Sequence, residues 1–221
     1  MKQPNHKLGD LVDRQIKHWQ KSFGELKEAE TRPTITISRQ PGSKGRFIAR
    51  KLAEDLGYEF YAGKLINDVA KNAKLSSIVV KNLDEQAPSL LKEIISFFDN
   101  KEVLAADQYF RHLVEMIGAI GKVGNAVILG RGANFILSPK SSLRVRIIEP
   151  MDSRIQNVMM SFGVSEKEAR FAIDKTESER REFVKHYFHH ELDEHLNYDM
   201  ILNAGKLDID RCVEILKSAI D

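Results

Sequence analysis

Apolar stretches with the length of a β-strand alternate with helical stretches over most of this 221-residue chain. The strand-like stretches are residues 34–38, 58–61, 126–129, 143–148 and 198–202. Helical periodicity is found at residues 46–56, 152–162 and 208–220, and Gly57 is placed to end the first of these helices. This alternation predicts an α/β fold in which helices cover both faces of a mostly parallel sheet.

Two stretches interrupt the alternation. Residues 64–121 have helical periodicity with no strand between, which predicts a helical insertion. Residues 165–195 open with Ser165 and Glu168 in a capping-box pattern and are then dense in charged side chains. A dense run of charge often marks only a solvated helix face, and the sequence alone leaves that interpretation open.

The N-terminal segment carries a further helical pattern. Residues 8–26 place large apolar side chains at spacings of three and four, which predicts an amphipathic helix. It would pack either on its own domain or on a second copy of the chain in a homodimer, and the pattern is too short to decide.

Composition and charge exclude several classes of protein. Lys and Arg total 34 against 32 Asp and Glu, so bulk charge gives no reason to expect a nucleic-acid or membrane partner. Cys212 is the single cysteine, which excludes an internal disulfide, and its apolar helical surroundings predict a buried core thiol. The N-terminus lacks an apolar signal region, so we expect a cytoplasmic protein.

The turn after the first strand has features of an anion site. Gly42 and Gly45 would let main-chain amides converge on an anion at the start of helix 46–56. The pattern G-x-x-x-x-G-K-[ST] would add a lysine and a hydroxyl, and the segment SRQPGSKGRF does not match it. Without further context the segment could equally be an ordinary strand-to-helix turn.

Several segments together resemble the cytidylate kinase-like family, a branch of the P-loop nucleoside monophosphate kinases. They are ISRQPGSKGRFIARKLAEDLGYEFY, AVILGRGANFIL, LRVRIIEPMDSRIQNVM, DKTESERREF and NYDMILNAG. The resemblance covers about residues 34–221. It implies a P-loop NTPase fold of three layers, α/β/α, with a parallel five-stranded sheet in the order 2-3-1-4-5.

The resemblance also implies a domain organisation. An N-terminal helix (1–31) would precede a kinase-like domain over 32–221, with its core at 32–63 and 122–221. The insertion at 64–121 would bind the phosphoryl acceptor, and the charged stretch at about 165–195 would form a lid.

A set of loop residues would hold the donor nucleotide. By resemblance these are Arg39, Gly42, Ser43, Lys44, Gly45, Arg46 and Phe47. In the loop of true cytidylate kinases, glycines stand at positions 39 and 44, the catalytic lysine at 45 and a hydroxyl at 47, whereas members of the cytidylate kinase-like family share an S-R-Q-x-G-S-x-G-R segment. We therefore expect Arg46, together with Lys44 or Arg39, to restore the missing positive charge.

Other arginines would act on the acceptor and on the transferring group. Arg131 matches the arginine that binds the acceptor phosphate, while Gly132 stands where the pattern has an aspartate. Arg180 and Arg181 match the arginine-rich lid and would contact the transferring phosphoryl group, with Arg180 preferred. The resemblance thus implies Arg46, Arg131, Arg180 and Arg181 as catalytic residues.

The expected activity is transfer of the ATP γ-phosphate to a nucleoside monophosphate, cytidine monophosphate by the family's name, or to a related small acceptor. Mg²⁺ is expected with ATP, yet its ligands stay unknown because Phe47, Ala62 and Gly132 replace the usual hydroxyl and acids. Ser38 and Ser43 are the nearby hydroxyls. The alternative is a nucleotide-binding sensor or scaffold that has lost turnover.

Overall fold

The computed structural model describes residues 32–70 and 108–220. The elements follow in the order β1 (Thr34–Arg39), α1 (Gly45–Leu56), β2 (Glu59–Ala62), α2 (Gly63–Ala70), α3 (Gln108–Val123), β3 (Ala126–Leu129), α4 (Ala133–Ile136), β4 (Ser142–Ile148), α5 (Met151–Phe162), α6 (Glu166–Phe188), a 3-10 turn (His195–Asn197), β5 (Met200–Asn203) and α7 (Ile209–Ser218). The predicted N-terminal helix and residues 71–107 of the predicted insertion lie outside the described residues.

The sheet has five parallel strands in the order β2-β3-β1-β4-β5, which confirms the predicted topology. Strand β3 (AVIL) is apolar on both faces and fully buried, and in the central strand β1 Ile35 lies beside Val127 of β3 and Ile37 beside Val145 of β4. Continuous apolar runs of this kind suit a parallel strand that helices cover on both faces.

Two predicted strand starts are displaced. Tyr58 precedes β2 because its amide donates to Ala53 O at 2.8 Å, in the turn that ends α1. Tyr198 precedes β5 because its amide donates to His195 O at 3.1 Å in the 3-10 turn. In both cases a local turn takes the amide that a strand would have used.

Helix α1 packs on the sheet and on α7. Ile48 and Leu52 are fully buried, and the helix ends where Gly57 adopts a left-handed conformation with φ 67°, as predicted. Cys212 of α7 belongs to the same core cluster, which confirms the expectation of a buried core thiol.

The charged stretch forms one continuous helix, α6, of 23 residues. Ser165 and Glu168 make both hydrogen bonds of the predicted capping box. Ala169 and Ile173 of α6 are buried against Ile155 of α5. The charged helix therefore has an apolar side that fixes it to its neighbour.

The described residues fall into two compact units. Residues 33–62 and 125–220 form one unit, and residues 63–70 and 108–124 belong to the other. The glycine-containing turn and the arginine-bearing segments all lie in the first unit. Within the described ranges, no helix has both the length and the apolar character that spanning a bilayer requires.

Candidate functional site

Charged side chains gather at one edge of the sheet. β1 ends at Arg39, and β3 is followed by Gly130 and then Arg131, so the parallel arrangement brings both arginines to the carboxyl edge. Arg180 reaches the same edge from α6, where its Nη1 donates to Arg39 O at 2.6 Å. These three arginines line a cavity of about 260 Å³, together with Ser38, Gly130, Gly132, Asn134, Thr176, Glu179, Phe183, Val184 and Leu192. We call it the first cavity.

The arginines perturb one another's protonation. Burial, reinforced by the charges of Arg180, Arg131 and Arg46, lowers the pKa of Arg39 to about 9. Burial, reinforced by Arg131 and Arg146, lowers the pKa of Arg180 to about 10. Both groups still carry their charge at neutral pH, and the charges that shift the pKa of Arg39 are all positive. Such a concentration of positive charge favours a polyanionic ligand.

Polyanion binding is expected to weaken as the pH rises above about 9. In the empty protein Arg39, faced by Arg180, Arg131 and Arg46, loses its proton near that pH, whereas a bound polyanion favours the charged form. Binding at higher pH must therefore take up a proton, at a cost of up to about tenfold in Kd per pH unit. The free energy of unfolding of the empty protein changes in the opposite direction. It rises above about pH 9, because the Arg39 guanidinium binds its proton more tightly in the unfolded chain than in the folded one.

Calorimetric titration with inorganic tripolyphosphate between pH 7 and pH 10 checks this expectation. The variant Arg39→Gln should lose the pH dependence near 9. A Kd that is equally pH-dependent in both proteins would show that Arg39 is not the titrating group.

The loop after β3 is held in an unusual backbone conformation. Gly130, Arg131 and Gly132 all have positive φ, at 81°, 58° and 67°. For Arg131 this costs roughly 1–2 kcal/mol. A side chain at Gly132 would collide with the ring of Phe188, and the Arg131 guanidinium lies 5.8 Å from the ring centre of Phe183. Helix α6 therefore fixes the direction of Arg131, and the Phe188 ring occupies the space that an acid at position 132 would need.

Three main-chain amides of the glycine-containing turn already have partners inside the protein. The amide of Ser43 donates to Gln40 O at 3.3 Å, that of Lys44 to a carboxylate oxygen of Glu149 at 3.3 Å, and that of Gly45 to Ser43 Oγ at 3.4 Å. Hydrogen bonds of this length are weak, so a phosphate oxygen could replace them. The amides do not form the open cradle that the glycines suggested, so the arginine side chains are the better-placed donors for an anion.

The charge of Lys44 is paired with a carboxylate. Its ammonium lies 3.6 Å from the Glu149 carboxylate and donates to Ala204 O at 3.1 Å. Glu149 is buried and also accepts from Asn157 Nδ2 at 3.2 Å. In this arrangement Lys44 compensates a buried carboxylate, which leaves Arg39 and Arg46 as the loop cations that face a ligand.

A second cavity, of about 450 Å³, is lined by residues of the turn. Arg46 and Phe47, in the first turn of α1, line it and are exposed, and Arg39 and Arg180 line both cavities. The other lining residues are Gln40, Pro41, Gly42, Ser43, Lys44, Asn157, Val158, Met160, Ser161 and Phe162. The structure thus brings the predicted donor-loop residues, except the buried Gly45, to one cavity that shares two arginines with its neighbour.

Arg181 and Arg154 are held in ion pairs. Arg181 is half-exposed and pairs with Asp193 at 2.9 Å and Glu177 at 3.5 Å. Arg154 is buried, donates to Glu177 at 2.7 Å and reaches Pro41 O at 3.3 Å. Arg181, unlike Arg180, is therefore not among the residues that line either of the two cavities described.

Asn134 is a site residue that the sequence analysis missed. Its side chain is buried and lines the first cavity, and its Nδ2 has no hydrogen-bond partner within the described part of the chain. A buried amide of this kind needs an acceptor, which an oxygen of a bound ligand would supply. The one signal in the sequence is a polar residue inside the otherwise apolar segment ANFIL.

The residues present do not fit a magnesium site built by the protein. The Ser38 hydroxyl accepts from Arg146 at 2.8 Å, and the Ser43 hydroxyl donates to Gln40 O at 2.8 Å. Glu179 supplies a carboxylate to the first cavity, but the described ranges contain no group of three His, Cys, Asp or Glu side chains placed to hold a metal. A magnesium ion would have to arrive on the phosphates of the substrate itself.

Comparison with known proteins identifies the family. Residues 34–206 match the Cytidylate kinase-like family. The chain belongs to that family. The matched region includes the glycine-containing turn, the loop after β3 and helix α6, so it contains every candidate site residue described above.

The relatives agree with this assignment. The chain is 27% identical over 188 residues to a cytidylate kinase of Pyrococcus horikoshii, covering 85% of this chain and 88% of that protein. It is 25% identical over 197 residues to a cytidylate kinase of Methanopyrus kandleri, covering 85% and 92%. The crystal structure of an uncharacterized protein from Eubacterium ventriosum has the same fold, with a TM-score of 0.69, 24% identity and coverage of 86% and 98%. Together these findings support a kinase-like phosphotransferase of the nucleoside monophosphate kinase type.

Proposed function

We propose that this cytidylate kinase-like protein transfers the terminal phosphoryl group of ATP to a nucleoside monophosphate, with cytidine monophosphate as the first acceptor to test. The observation that carries the proposal is the cluster of Arg39, Arg131 and Arg180 at the carboxyl edge of the sheet, two of which have pKa values lowered by burial and by one another. Phosphoryl transfer depends mainly on alignment and on cations that balance the charge of two phosphate groups.

The two cavities suit the two substrates. The second cavity would hold the donor triphosphate, with Arg39 and Arg46 as cations and Phe47 beside it. The first cavity would hold the acceptor phosphate, with Arg131 and the Asn134 amide as donors. Arg180 lines both, so it would contact the phosphoryl group as it passes from donor to acceptor. Arg181, by contrast, would keep α6 in place through Asp193 and Glu177.

A nucleotide-binding sensor without turnover is the second candidate. It is favoured by the Glu149 carboxylate on the Lys44 amide, because that carboxylate lies where a loop amide would meet a phosphate oxygen. The poor fit of the described residues to a magnesium site points the same way. The position of Arg180 disfavours the sensor, because a protein that only binds a nucleotide needs no cation that lines two cavities.

A coupled assay of ADP release separates the two candidates. The protein is supplied with MgATP and, in turn, CMP, dCMP, UMP, AMP and GMP. We expect acceptor-dependent ADP formation with at least one of them, and CMP should give the highest kcat/KM. If nucleotides raise Tm while every acceptor leaves the rate of ADP release at the background level, the protein is a sensor.

Contaminating host kinases are the main source of a false result. The variant Arg131→Ala, purified in the same way, should lose acceptor-dependent ADP formation, since it lacks the proposed ligand of the acceptor phosphate. An equal rate from both preparations would assign the activity to a contaminant.

A further inference from the structure

The side chain of Arg39 runs past two glycines. A Cβ atom added to Gly45 would lie 2.6 Å from the Cβ of Arg39, 3.1 Å from its Cγ and 3.3 Å from the Cβ of Ile147. A Cβ atom added to Gly130 would collide with the Arg39 guanidinium. The stem of Arg39 therefore lies over Gly45, and its charged end lies against Gly130.

Gly45 stands where a standard phosphate-binding loop has its lysine. It is the first residue of α1 and the last glycine of the turn, where the pattern G-x-x-x-x-G-K-[ST] has its lysine beside the phosphates. No side chain fits there while Arg39 keeps its conformation, because real Cβ atoms do not approach other carbons to 2.6 Å. The absent lysine and the present arginine compete for the same space.

Arg39 is also the better placed of the loop cations. Arg46 is exposed, whereas the Arg39 guanidinium is partly buried and lines both cavities. A partly buried charge acts on a ligand more strongly than an exposed one, because less water screens it. The hydrogen bond from Arg180 to Arg39 O holds the backbone from which this side chain projects.

We propose that Arg39 supplies the positive charge that a loop lysine supplies in G-x-x-x-x-G-K-[ST] proteins, and that residues 39 and 45 form one exchanged pair. The arginine at 39 requires glycine at 45, and a lysine at 45 would require a small residue at 39. This inference rests on the proposed function, in which the triphosphate of ATP lies along the second cavity.

The pair is tested by measuring ATP affinity calorimetrically in the variants Arg39→Gly, Gly45→Lys and the double variant, with Arg50→Ala as a surface-arginine control. Arg39→Gly should weaken ATP binding about 10- to 100-fold, since it removes charge-assisted hydrogen bonds. Gly45→Lys alone should lower Tm and give no gain in affinity, because of the overlap with Arg39. The double variant should bind ATP at least fivefold more tightly than Arg39→Gly.

Two results would overturn the proposal. The first is an Arg39→Gly protein that binds ATP within twofold of the original chain. The second is a folded double variant no better than Arg39→Gly. Should the double variant fail to fold, Arg39→Gly decides alone, because it only removes atoms. The variant Arg39→Lys provides a further measurement, since it keeps the charge and should retain more ATP affinity than Arg39→Gly.

Failure of the proposed function gives a different result. Because ATP affinity is measured without an acceptor, a sensor that releases no ADP would still show the exchanged pair. Inorganic tripolyphosphate serves as a second probe of the same cation when ATP itself does not bind. Loss of tripolyphosphate affinity in Arg39→Gly supports the pair, and unchanged affinity contradicts it.

Discussion

The variant Arg180→Ala is expected to lower kcat by about a thousandfold while changing the KM for either substrate by less than about tenfold. Arginines that contact the phosphoryl group during its transfer raise kcat by a factor of about 10³–10⁵ in related reactions, because the charge that they balance develops in the transition state. Arg180 is the α6 side chain that lines both cavities, and its guanidinium already lies against the carbonyl of Arg39.

Steady-state kinetics with MgATP and the best acceptor measure this effect. Arg170→Ala is the matched control, because Arg170 is an exposed arginine on the same helix. Arg181→Ala should fall between the two, since its pairs with Asp193 and Glu177 hold α6 in place. A kcat for Arg180→Ala within tenfold of the original chain would remove Arg180 from the reaction.

Glu177→Ala is expected to destabilise the protein by about 3–5 kcal/mol, because it leaves a buried arginine without its carboxylate. The side chains of Arg154 and Glu177 are 5% and 12% exposed, and their atoms are 2.7 Å apart. Arg154 also donates to Pro41 O at 3.3 Å, but a carbonyl oxygen does not neutralise the guanidinium charge. For a domain of this size the loss corresponds to a fall in Tm of about 10 °C.

Thermal and chemical unfolding of Glu177→Ala and Glu182→Ala provide the comparison. Glu182 is exposed on the same helix, so its truncation should change the free energy of unfolding by no more than about 0.5 kcal/mol. Glu177→Gln should lose less than Glu177→Ala, because the amide oxygen can still accept from Arg154. Equal losses in Glu177→Ala and Glu182→Ala would mean that water reaches Arg154 freely.

The fold was largely predictable because its signals are local. Each strand of the sheet is a short stretch rich in β-branched, aromatic or other apolar residues, and helix ends carry their own signals, as at Gly57 and at Ser165 with Glu168. The errors at Tyr58 and Tyr198 arose where an apolar residue enters a turn before its strand. Turn hydrogen bonds of this kind depend on backbone geometry that apolar periodicity does not encode.

The site was less predictable because its contacts join distant segments. Arg131 and Arg180 could be named from the family resemblance, and the structure brings them together. Glu149, however, contacts Lys44 across 105 positions of sequence, and no local sequence pattern near either residue predicts that contact. The relation of Arg39 to Gly45 likewise depends on where a side chain runs in space.

Helix α6 has a mechanical consequence for the two cavities. This one helix carries three side chains that bear on the cavities. Glu177 pairs with Arg154, Arg180 lines both cavities, and Phe188 lies against the loop that contains Arg131. Under the proposed function, a tilt of this helix that favours one substrate would change the cavity that binds the other. Thermodynamic reciprocity then requires each substrate to alter the affinity for its partner by the same factor.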